Sequence, residues 1–395
     1  MKNYDFLGED KIMKKILSIL LSVLMVFTLA VIGNAENEEK VLKFNEDGTF
    51  KIMQINDTQD VGEGGNDKLV KFIEAALDKE QPDLVVFVGD QLADFYPFGT
   101  KGDMLKAIDN IIAPLQERGI PFLVTMGNHD HDHLDTFSKA EQFEAYASYD
   151  NCYMPVGGVE EFTVNVPVLS SDGEKTAMSI FMMNTHNKAE SGGYAGVTAE
   201  QNEWFKSVSA ALKAENGGEA VPSMVFQHVP PKEIYKLFEE CEYNEDGAIF
   251  SRRDNKWYKL DETKAQGTLG EAPCSEDFDN ITGQYESWLE TGNVMGAFFA
   301  HDHVNDFVGT TEDGIKMGYN GGTGFRAYGV GDGRSVRIFE FNENDVTNYD
   351  TRILTYAEAT GEELSFVFVD LFSPALLTTL MKAVYFLFGW LIKLF

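Results

Sequence analysis

Residues 122–130 read FLVTMGNHD, an apolar run followed at once by Gly-Asn-His-Asp. A short continuous apolar run bounded by a glycine is typical of a strand that is buried on both faces. The polar residues then fall at the carboxyl end of that strand, the edge at which ligands and reactive groups gather in open α/β sheets. The stretch therefore predicts a buried strand that ends in a functional loop.

Four more apolar runs end in the same way. The runs and the residues that follow them are Phe50–Ile55 before Asn56, Asp57, Thr58 and Gln59; Leu84–Val88 before Gly89 and Asp90; Met224–Phe226 before Gln227 and His228; and Ala297–Phe299 before Ala300, His301, Asp302 and His303. Carboxylates, amide oxygens and imidazoles are ligands for hard to borderline divalent cations. The pattern predicts a metal site where these strand ends meet.

Helical stretches separate the apolar runs. Amphipathic periodicity predicts helices over 67–79, 104–118, 137–149 and 199–213, and a further apolar run lies at 178–183. Buried strands that alternate with helices indicate a mixed α/β fold. After residue 303 the pattern changes to alternating strands and glycine-rich turns, as in hairpins.

Residues 232–283 form an insertion that is rich in acidic and aromatic residues. A stretch of this length without clear periodicity is usually functional or loosely ordered. Two interpretations stay open: a lid or substrate-recognition flap over the site, or a peripheral loop.

The ordered series of strand ends resembles the calcineurin-like metallophosphoesterases, and within them the purple-acid-phosphatase-like secreted bacterial members. That family carries Asp-x-His, Gly-Asp, Gly-Asn-His-Asp/Glu, a lone His and Gly-His-x-His in this order. The resemblance implies an α/β fold of the four-layer αββα type, with two mixed β-sheets and the metal site at the carboxyl ends of the strands. It also implies one catalytic domain over residues 41–356, which includes the insertion, and two divalent metal ions (Mn, Fe, Zn or Mg).

The same resemblance assigns roles by position. The implied metal ligands are Asp90 as the bridge, Asp57 and His303 on the first ion, and Asn128, His228 and His301 on the second. His129 would lie beside the phosphoryl group without binding metal, and Asp130 would orient it. Two cations that clamp a phosphate neutralise its charge and lower the pKa of a bridging water to ~7.

Gln59 departs from the family pattern, which has a histidine on the first metal ion at that position. A glutamine oxygen can ligate and would give a harder, weaker site that suits Mn²⁺ or Mg²⁺ better than iron. Alternatively Asp60 contributes, or the first ion is loosely held. The tyrosine ligand that colours purple acid phosphatases is also missing, so no purple iron site is expected.

We therefore expect a phosphomonoesterase that acts on a phosphorylated small molecule, a nucleotide or a phosphoprotein. A first alternative is an extracellular phosphodiesterase or nucleotidase, in which aromatic residues of the insertion stack on a base. A second is a non-catalytic, surface-anchored binding protein whose metal site has degenerated at Gln59.

Charge limits the partners of the chain. Its 395 residues carry 64 acidic and 32 basic side chains, a formal net charge of −32. Nucleic acid and anionic lipid headgroups repel such a protein, so no nucleic-acid binding is expected.

The two ends of the chain predict export and membrane association. Residues 1–35 combine lysines, an apolar stretch and a small-residue cleavage site, which is typical of a secretory signal peptide; the signal itself reads from Met13. An uncleaved anchor is the alternative. Residues 371–395 are apolar with two lysines and no acidic residue, and we expect this segment to associate with a membrane. The predicted location is extracellular or in the cell envelope.

Overall fold

Most strands of the protein belong to two mixed β-sheets. The computed structural model describes residues 40–62, 67–93, 100–156, 158–275, 282–364 and 367–392. The predicted signal peptide, residues 1–35, lies outside the described residues. Within the chain, Val41–Phe395 forms a compact unit of its own.

The first sheet has five strands. Its members are β2 (Thr49–Ile55), β3 (Leu84–Val88), β4 (Phe122–Thr125), β15 (Ser335–Asn342) and β16 (Asp350–Thr355). They lie side by side in the order β16-β15-β2-β3-β4. Strands β2, β3 and β4 are parallel, so their carboxyl ends share one edge, whereas β15 runs antiparallel to both β2 and β16.

The second sheet has eight strands. Its members are β1 (Leu42–Lys43), β5 (Val164–Leu169), β6 (Thr176–Met183), β7 (Ser223–Gln227), β11 (Ala265–Gln266), β12 (Val294–Phe299), β13 (Val308–Thr310) and β14 (Lys316–Tyr319). They lie in the order β1-β5-β6-β7-β12-β14-β13-β11. The central strands β6, β7, β12 and β14 are parallel. The two mixed sheets expected from the sequence are thus confirmed.

Helices connect the strands. They are α1 (Asp67–Glu80), α2 (Lys101–Arg118), α3 (Asn128–His131), α4 (Lys139–Ala147), α5 (Ala199–Glu215), α6 (Gln284–Thr291), α7 (Tyr356–Thr360) and α8 (Pro374–Ile392). The bounds differ from the sequence prediction where a cap sets them. Helix α2 begins three residues before the predicted start because Thr100 and Asp103 form a capping box, and α4 begins two residues late because Ser138 caps it.

Aromatic rings fill the space between the two sheets. Phe339 of β15 lies edge-on to Phe298 of β12, with ring centroids 4.5 Å apart, and to Phe226 of β7 at 5.5 Å. All three side chains are fully buried. The contact fixes the distance between the sheets and therefore between the strand ends that each sheet presents.

The insertion, residues 232–283, is more ordered than a loose flap. Strands β8 (Phe238–Glu240), β9 (Ile249–Ser251) and β10 (Lys256–Leu260) form a three-stranded antiparallel sheet, and β11 extends the eight-stranded sheet. Residues 276–281 of the insertion lie outside the described residues.

The C-terminal segment contains a 3₁₀ turn, Phe368–Phe372, and helix α8. Among the described residues, Phe368–Leu387 is the one helical stretch whose length and composition suit a membrane span. The last three residues, 393–395, lie outside the description.

Replacing the ring between the sheets tests this architecture. We expect Phe339→Ala to lower the free energy of unfolding by about 3–5 kcal/mol, because a large buried ring leaves a cavity. Urea unfolding followed by fluorescence measures the change. Phe386→Ala, at a ring that is 77% exposed, is the control and should change stability by less than about 0.5 kcal/mol. Equal effects of the two substitutions would contradict the assigned core.

Candidate metal centre

The predicted site residues meet at the edge where the parallel strands of both sheets end. Asp57 and Gln59 follow β2, Asp90 follows β3, and Asn128 opens the short helix after β4. From the other sheet, His228 follows β7, and His301 and His303 follow β12. All seven side chains are buried.

The distances between these side chains are those of a common ligand cluster. His228 Nε2 lies 3.1 Å from Asp90 Oδ2 and 3.2 Å from His301 Nδ1. His303 Nε2 lies 3.2 Å from Asp57 Oδ1. One ligand atom each of Asp90, His228 and His301 falls within 4.8 Å of the others, close enough to hold one cation.

Four buried oxygens form no hydrogen bond of good geometry: Asp57 Oδ1, Gln59 Oε1, Asp90 Oδ2 and Asn128 Oδ1. Asp57 Oδ1 and Asp90 Oδ2 face the Nε2 atoms of His303 and His228, and the two amide oxygens have no partner. Buried polar atoms are nearly always hydrogen-bonded, so each exception needs an explanation. These four come from three different loops at the strand ends. The two carboxylate oxygens lie against imidazoles, and Gln59 lines the same cavity as Asp90, His301 and His303. The donor set of oxygens and neutral imidazole nitrogens fits hard to borderline divalent cations.

The polar atoms of the ligand side chains that point away from the cluster form hydrogen bonds with the backbone. His228 Nδ1 donates to the carbonyl oxygen of Val88 and His303 Nδ1 to that of Tyr328, both at 2.9 Å. A carbonyl can only accept, so each Nδ1 carries a proton and Nε2 faces the cluster. Asp90 Oδ1 accepts from the His129 amide at 2.8 Å. Such contacts orient a ligand before the metal arrives.

The charges of the two buried carboxylates shift the pKa values of the neighbouring histidines. Burial opposes a proton on His228 and His303, but the attraction of Asp90 and Asp57 raises their pKa values to about 10 and about 9. Burial together with His228 lowers the pKa of His301 to about 3. A divalent cation must displace the protons on the first two rings, so the apparent metal affinity rises with pH.

Backbone strain is concentrated at this edge. Asp57, Gln59, Asp90 and His301 have positive φ values of 52°, 42°, 56° and 78°. Such left-handed conformations cost non-glycine residues about 1–3 kcal/mol each and persist only where the surrounding structure enforces them. The strain turns each side chain from its strand end into the shared cluster.

His129 lies at the rim of the cluster, and Asp132 rather than Asp130 contacts its ring. His129 Nδ1 is 2.9 Å from Asp132 Oδ2, and Nε2 is 3.9 Å from Asp90 Oδ2. Asp130 is buried and accepts hydrogen bonds from the amides of Asp90, Leu92 and Gly127 at 2.8–3.0 Å. With its oxygens engaged by backbone, Asp130 ties the β3 and β4 loops together, which differs from the orienting role expected from the sequence.

A cavity of about 560 Å³ opens over the cluster. Gln59, Asp90, His129, His301 and His303 line its floor, and Arg252 and Arg326 line it as well. The lining thus combines these two arginines with the carboxyl groups of Glu271 and Asp302.

Comparison with known protein families identifies the family of the chain. The family model for calcineurin-like phosphoesterases matches residues 50–305, the span that contains every strand end described above. The chain belongs to the calcineurin-like phosphoesterase family. Members of the family bind divalent metals, and the residues brought together here suit such ions.

Some relatives of this calcineurin-like phosphoesterase are named as phosphatases and others as inactive phosphatases. "Probable inactive purple acid phosphatase 14" of Arabidopsis thaliana is 27% identical over 371 residues, covering 84% of this chain and 86% of that protein. "Phosphatase DCR2" of Saccharomyces cerevisiae is 25% identical and covers 77% of this chain and 53% of that protein. A solved structure, TT1561 of Thermus thermophilus, has 10% identity and a TM-score of 0.39 over 77% of this chain and 98% of its own.

Sequence reasoning missed several residues around the cluster. Tyr328 stacks on His303 with ring centroids 4.4 Å apart, and its hydroxyl bonds Glu271 at 2.7 Å. Tyr194 lies edge-on to His301 at 4.4 Å. Neither tyrosine stands in a motif, so the sequence carries no signal for either contact.

Gly127 offers a direct test of the crowded cluster. A Cβ at this position would lie 2.1 Å from Asp90 Oδ1 and 2.5 Å from the Asp90 amide nitrogen. We expect Gly127→Ala to displace Asp90 and to weaken Mn²⁺ binding at least about tenfold, or 1.4 kcal/mol. Isothermal titration calorimetry measures the affinity.

Gly102→Ala is the matched control, because its Cβ would meet only the Thr100 hydroxyl at 3.3 Å. Unchanged Mn²⁺ affinity in Gly127→Ala would show that Asp90 does not ligate the metal.

Proposed function

We propose that this protein is a metal-dependent phosphomonoesterase. One observation carries the proposal: two buried carboxylates converge with three imidazoles at the strand ends, where two buried amide oxygens have no hydrogen-bond partner. When bound, two divalent cations would neutralise the phosphate and activate the attacking water. Asp57, Gln59, Asp90, Asn128, His228, His301 and His303 are the side chains that would hold them.

His129 is the proposed general acid. Its side chain is 24% exposed at the rim, with Nε2 on the side of Asp90. Asp132 Oδ2 beside Nδ1 stabilises a doubly protonated ring, and a second Asp132 oxygen accepts from Asn187 at 2.8 Å, which fixes the carboxylate. From this position Nε2 can hand a proton to the leaving oxygen of the ester.

A monoester suits the cavity better than a diester. A monoester carries two negative charges and more free phosphoryl oxygens, and Arg252 and Arg326 line the cavity that would receive them. The aromatic rings expected to stack on a base are engaged in packing instead. Phe250 and Trp257 are buried with ring centroids 5.1 Å apart, and Phe238 packs on Phe307 at 5.2 Å.

A non-catalytic binding protein is the second candidate. Gln59 replaces a family histidine, and three relatives from Arabidopsis thaliana bear the word "inactive" in their names. The position of Gln59 favours the first candidate, because its side chain lines the cavity with Asp90 and His303 and its buried amide oxygen has no hydrogen bond that would hold it elsewhere.

Paired esters test the proposed activity. We expect the protein spanning residues 36–395, supplied with Mn²⁺, to hydrolyse p-nitrophenyl phosphate faster than bis-p-nitrophenyl phosphate. Asp90→Asn should reduce turnover at least about 10²-fold, because it removes charge from the centre that stabilises the transition state. Asp83→Asn is the matched control, because this residue accepts hydrogen bonds from Asn45 and Lys51 near the amino end of β2, away from the site.

Faster hydrolysis of the diester would instead favour a phosphodiesterase or nucleotidase. Absence of turnover with Mn²⁺, Mg²⁺, Zn²⁺ and Fe²⁺ would select the binding protein.

Substitution of Gln59 tests whether its oxygen ligates. We expect Gln59→Ala to weaken one of two Mn²⁺ sites at least about tenfold. Gln59→His should restore binding and shift the preference towards Zn²⁺ and Fe²⁺, because imidazole is a softer ligand than an amide oxygen. Metal content by mass spectrometry and titration calorimetry measure both effects.

Gln201→Ala is the control, since this buried glutamine bonds Thr163 and Asn184 outside the cluster. Equal Mn²⁺ binding in wild type and Gln59→Ala would exclude Gln59 as a ligand.

A further inference from the structure

One wall of the cavity over the metal centre is apolar and comes from the C-terminal segment. Val369, Phe372 and Pro374 line the same cavity as the ligand cluster and the two arginines. The Phe372 side chain is 70% exposed, so it stands at the opening rather than in the core. A substrate that enters the cavity passes along this wall.

The segment is fixed beside the cavity by an ion pair between a buried arginine and a partly exposed carboxylate. Arg334 is fully buried, and its guanidinium meets the Asp370 carboxylate at 2.6 Å (Nη2–Oδ1) and 3.1 Å (Nη1–Oδ2). The Gly331 amide donates to Asp370 Oδ2 at 2.9 Å. A bidentate arginine–carboxylate pair fixes orientation as well as position. The wall is thus a built part of the catalytic unit.

Helix α8 then packs one face on the three-stranded sheet of the insertion. Tyr385 lies edge-on to Trp257 with ring centroids 5.4 Å apart, and Met381 packs on the same cluster. The Phe250 amide donates to Thr378 Oγ1 at 3.4 Å. This contact uses the inner face of the helix and determines which residues point outwards.

The outer face of α8 is an exposed apolar stripe. Leu376, Leu380, Val384 and Leu387, spaced at four, four and three residues, are 54%, 56%, 40% and 59% exposed. Helical spacing of this kind places them along one side. Phe372, which lines the cavity, comes four residues before Leu376, the first residue of the stripe. A contiguous exposed apolar surface marks an interaction site.

The charge of the segment indicates what covers it. The chain as a whole has twice as many acidic as basic residues, yet residues 371–395 contain no acidic side chain and two lysines. An apolar helix with this composition suits the interface of a lipid bilayer. A mostly zwitterionic bilayer with a minor share of anionic lipid fits best, because the net charge of −32 opposes a strongly anionic surface.

We propose that the C-terminal segment seats the cavity on a bilayer and that the substrate is a phosphate monoester of a membrane lipid. The inference rests on the proposed phosphomonoesterase activity and names its substrate class. The lipid phosphate lies at the cluster with Arg252 and Arg326, and its hydrocarbon follows Phe372 to the outer stripe. Water adds to phosphorus, the bond from phosphorus to the lipid oxygen breaks, and that oxygen takes a proton, releasing the lipid alcohol and inorganic phosphate.

The test compares a lipid ester with a soluble one. The protein spanning residues 36–395 is incubated with phosphatidylcholine vesicles that contain a minor share of phosphatidic acid, and separately with p-nitrophenyl phosphate. Vesicle flotation measures binding without reference to catalysis. We expect the protein to float with vesicles, and Leu380→Glu combined with Val384→Glu to lower both flotation and the ratio of lipid to soluble turnover at least about tenfold.

The matched control is Leu105→Glu combined with Leu289→Glu, which adds the same charge at leucines that are 40% and 45% exposed on α2 and α6. It should leave flotation and the ratio as in wild type. A wild-type protein that does not float, or that cleaves p-nitrophenyl phosphate but not phosphatidic acid, overturns the inference and leaves the proposed activity standing. Flotation without turnover of either ester overturns the proposed activity and, with it, the lipid substrate.

Discussion

Two buried carboxylates at the junction of the sheets are the constraint on which the site depends. Taking Asp57 and Asp90 out of water costs several kcal/mol per ion, and nearby opposite charge together with hydrogen bonds offsets that cost. The five-stranded sheet supplies the carboxylates and the eight-stranded sheet supplies His228 and His303 against them. The two halves of the fold therefore need each other electrostatically as well as through the aromatic core.

The ligand cluster is organised before any cation arrives. Strained backbone turns the side chains inwards, and bonds from the outside hold them there. Asn56 illustrates the second point, since its Nδ2 donates to Asp57 Oδ2 at 2.6 Å and to the Asn320 carbonyl at 3.2 Å. Asp130 does the same for the loops that carry Asp90 and Asn128. A cation then meets positions already set, which reduces the reorganisation that binding would cost.

The strand ends could be predicted from the sequence because burial on both faces forces continuous apolar runs, and the polar residues after each run have one edge to reach. Contacts that depend on the tertiary structure could not be predicted from the sequence. Asp132 rather than Asp130 meets the His129 ring because the amides at the β3 and β4 ends occupy Asp130. Tyr328 reaches His303 through a loop that carries no motif. The insertion's aromatic residues looked available to a ligand, but neighbouring strands and α8 cover them.

The ion pair between Arg334 and Asp370 has a practical consequence for handling the protein. Arg334 also donates to the carbonyls of Gly324 and Ala327, in the loop whose Gly324 amide reaches the Asp57 carbonyl at 3.0 Å. A shortened, more soluble form that stops before Asp370 would leave the buried Arg334 guanidinium without its carboxylate. Through Gly324, that guanidinium is linked to the loop that carries Asp57. A cut between Asp370 and Pro374 removes the apolar helix while sparing that anchor, and is the better boundary for crystallisation.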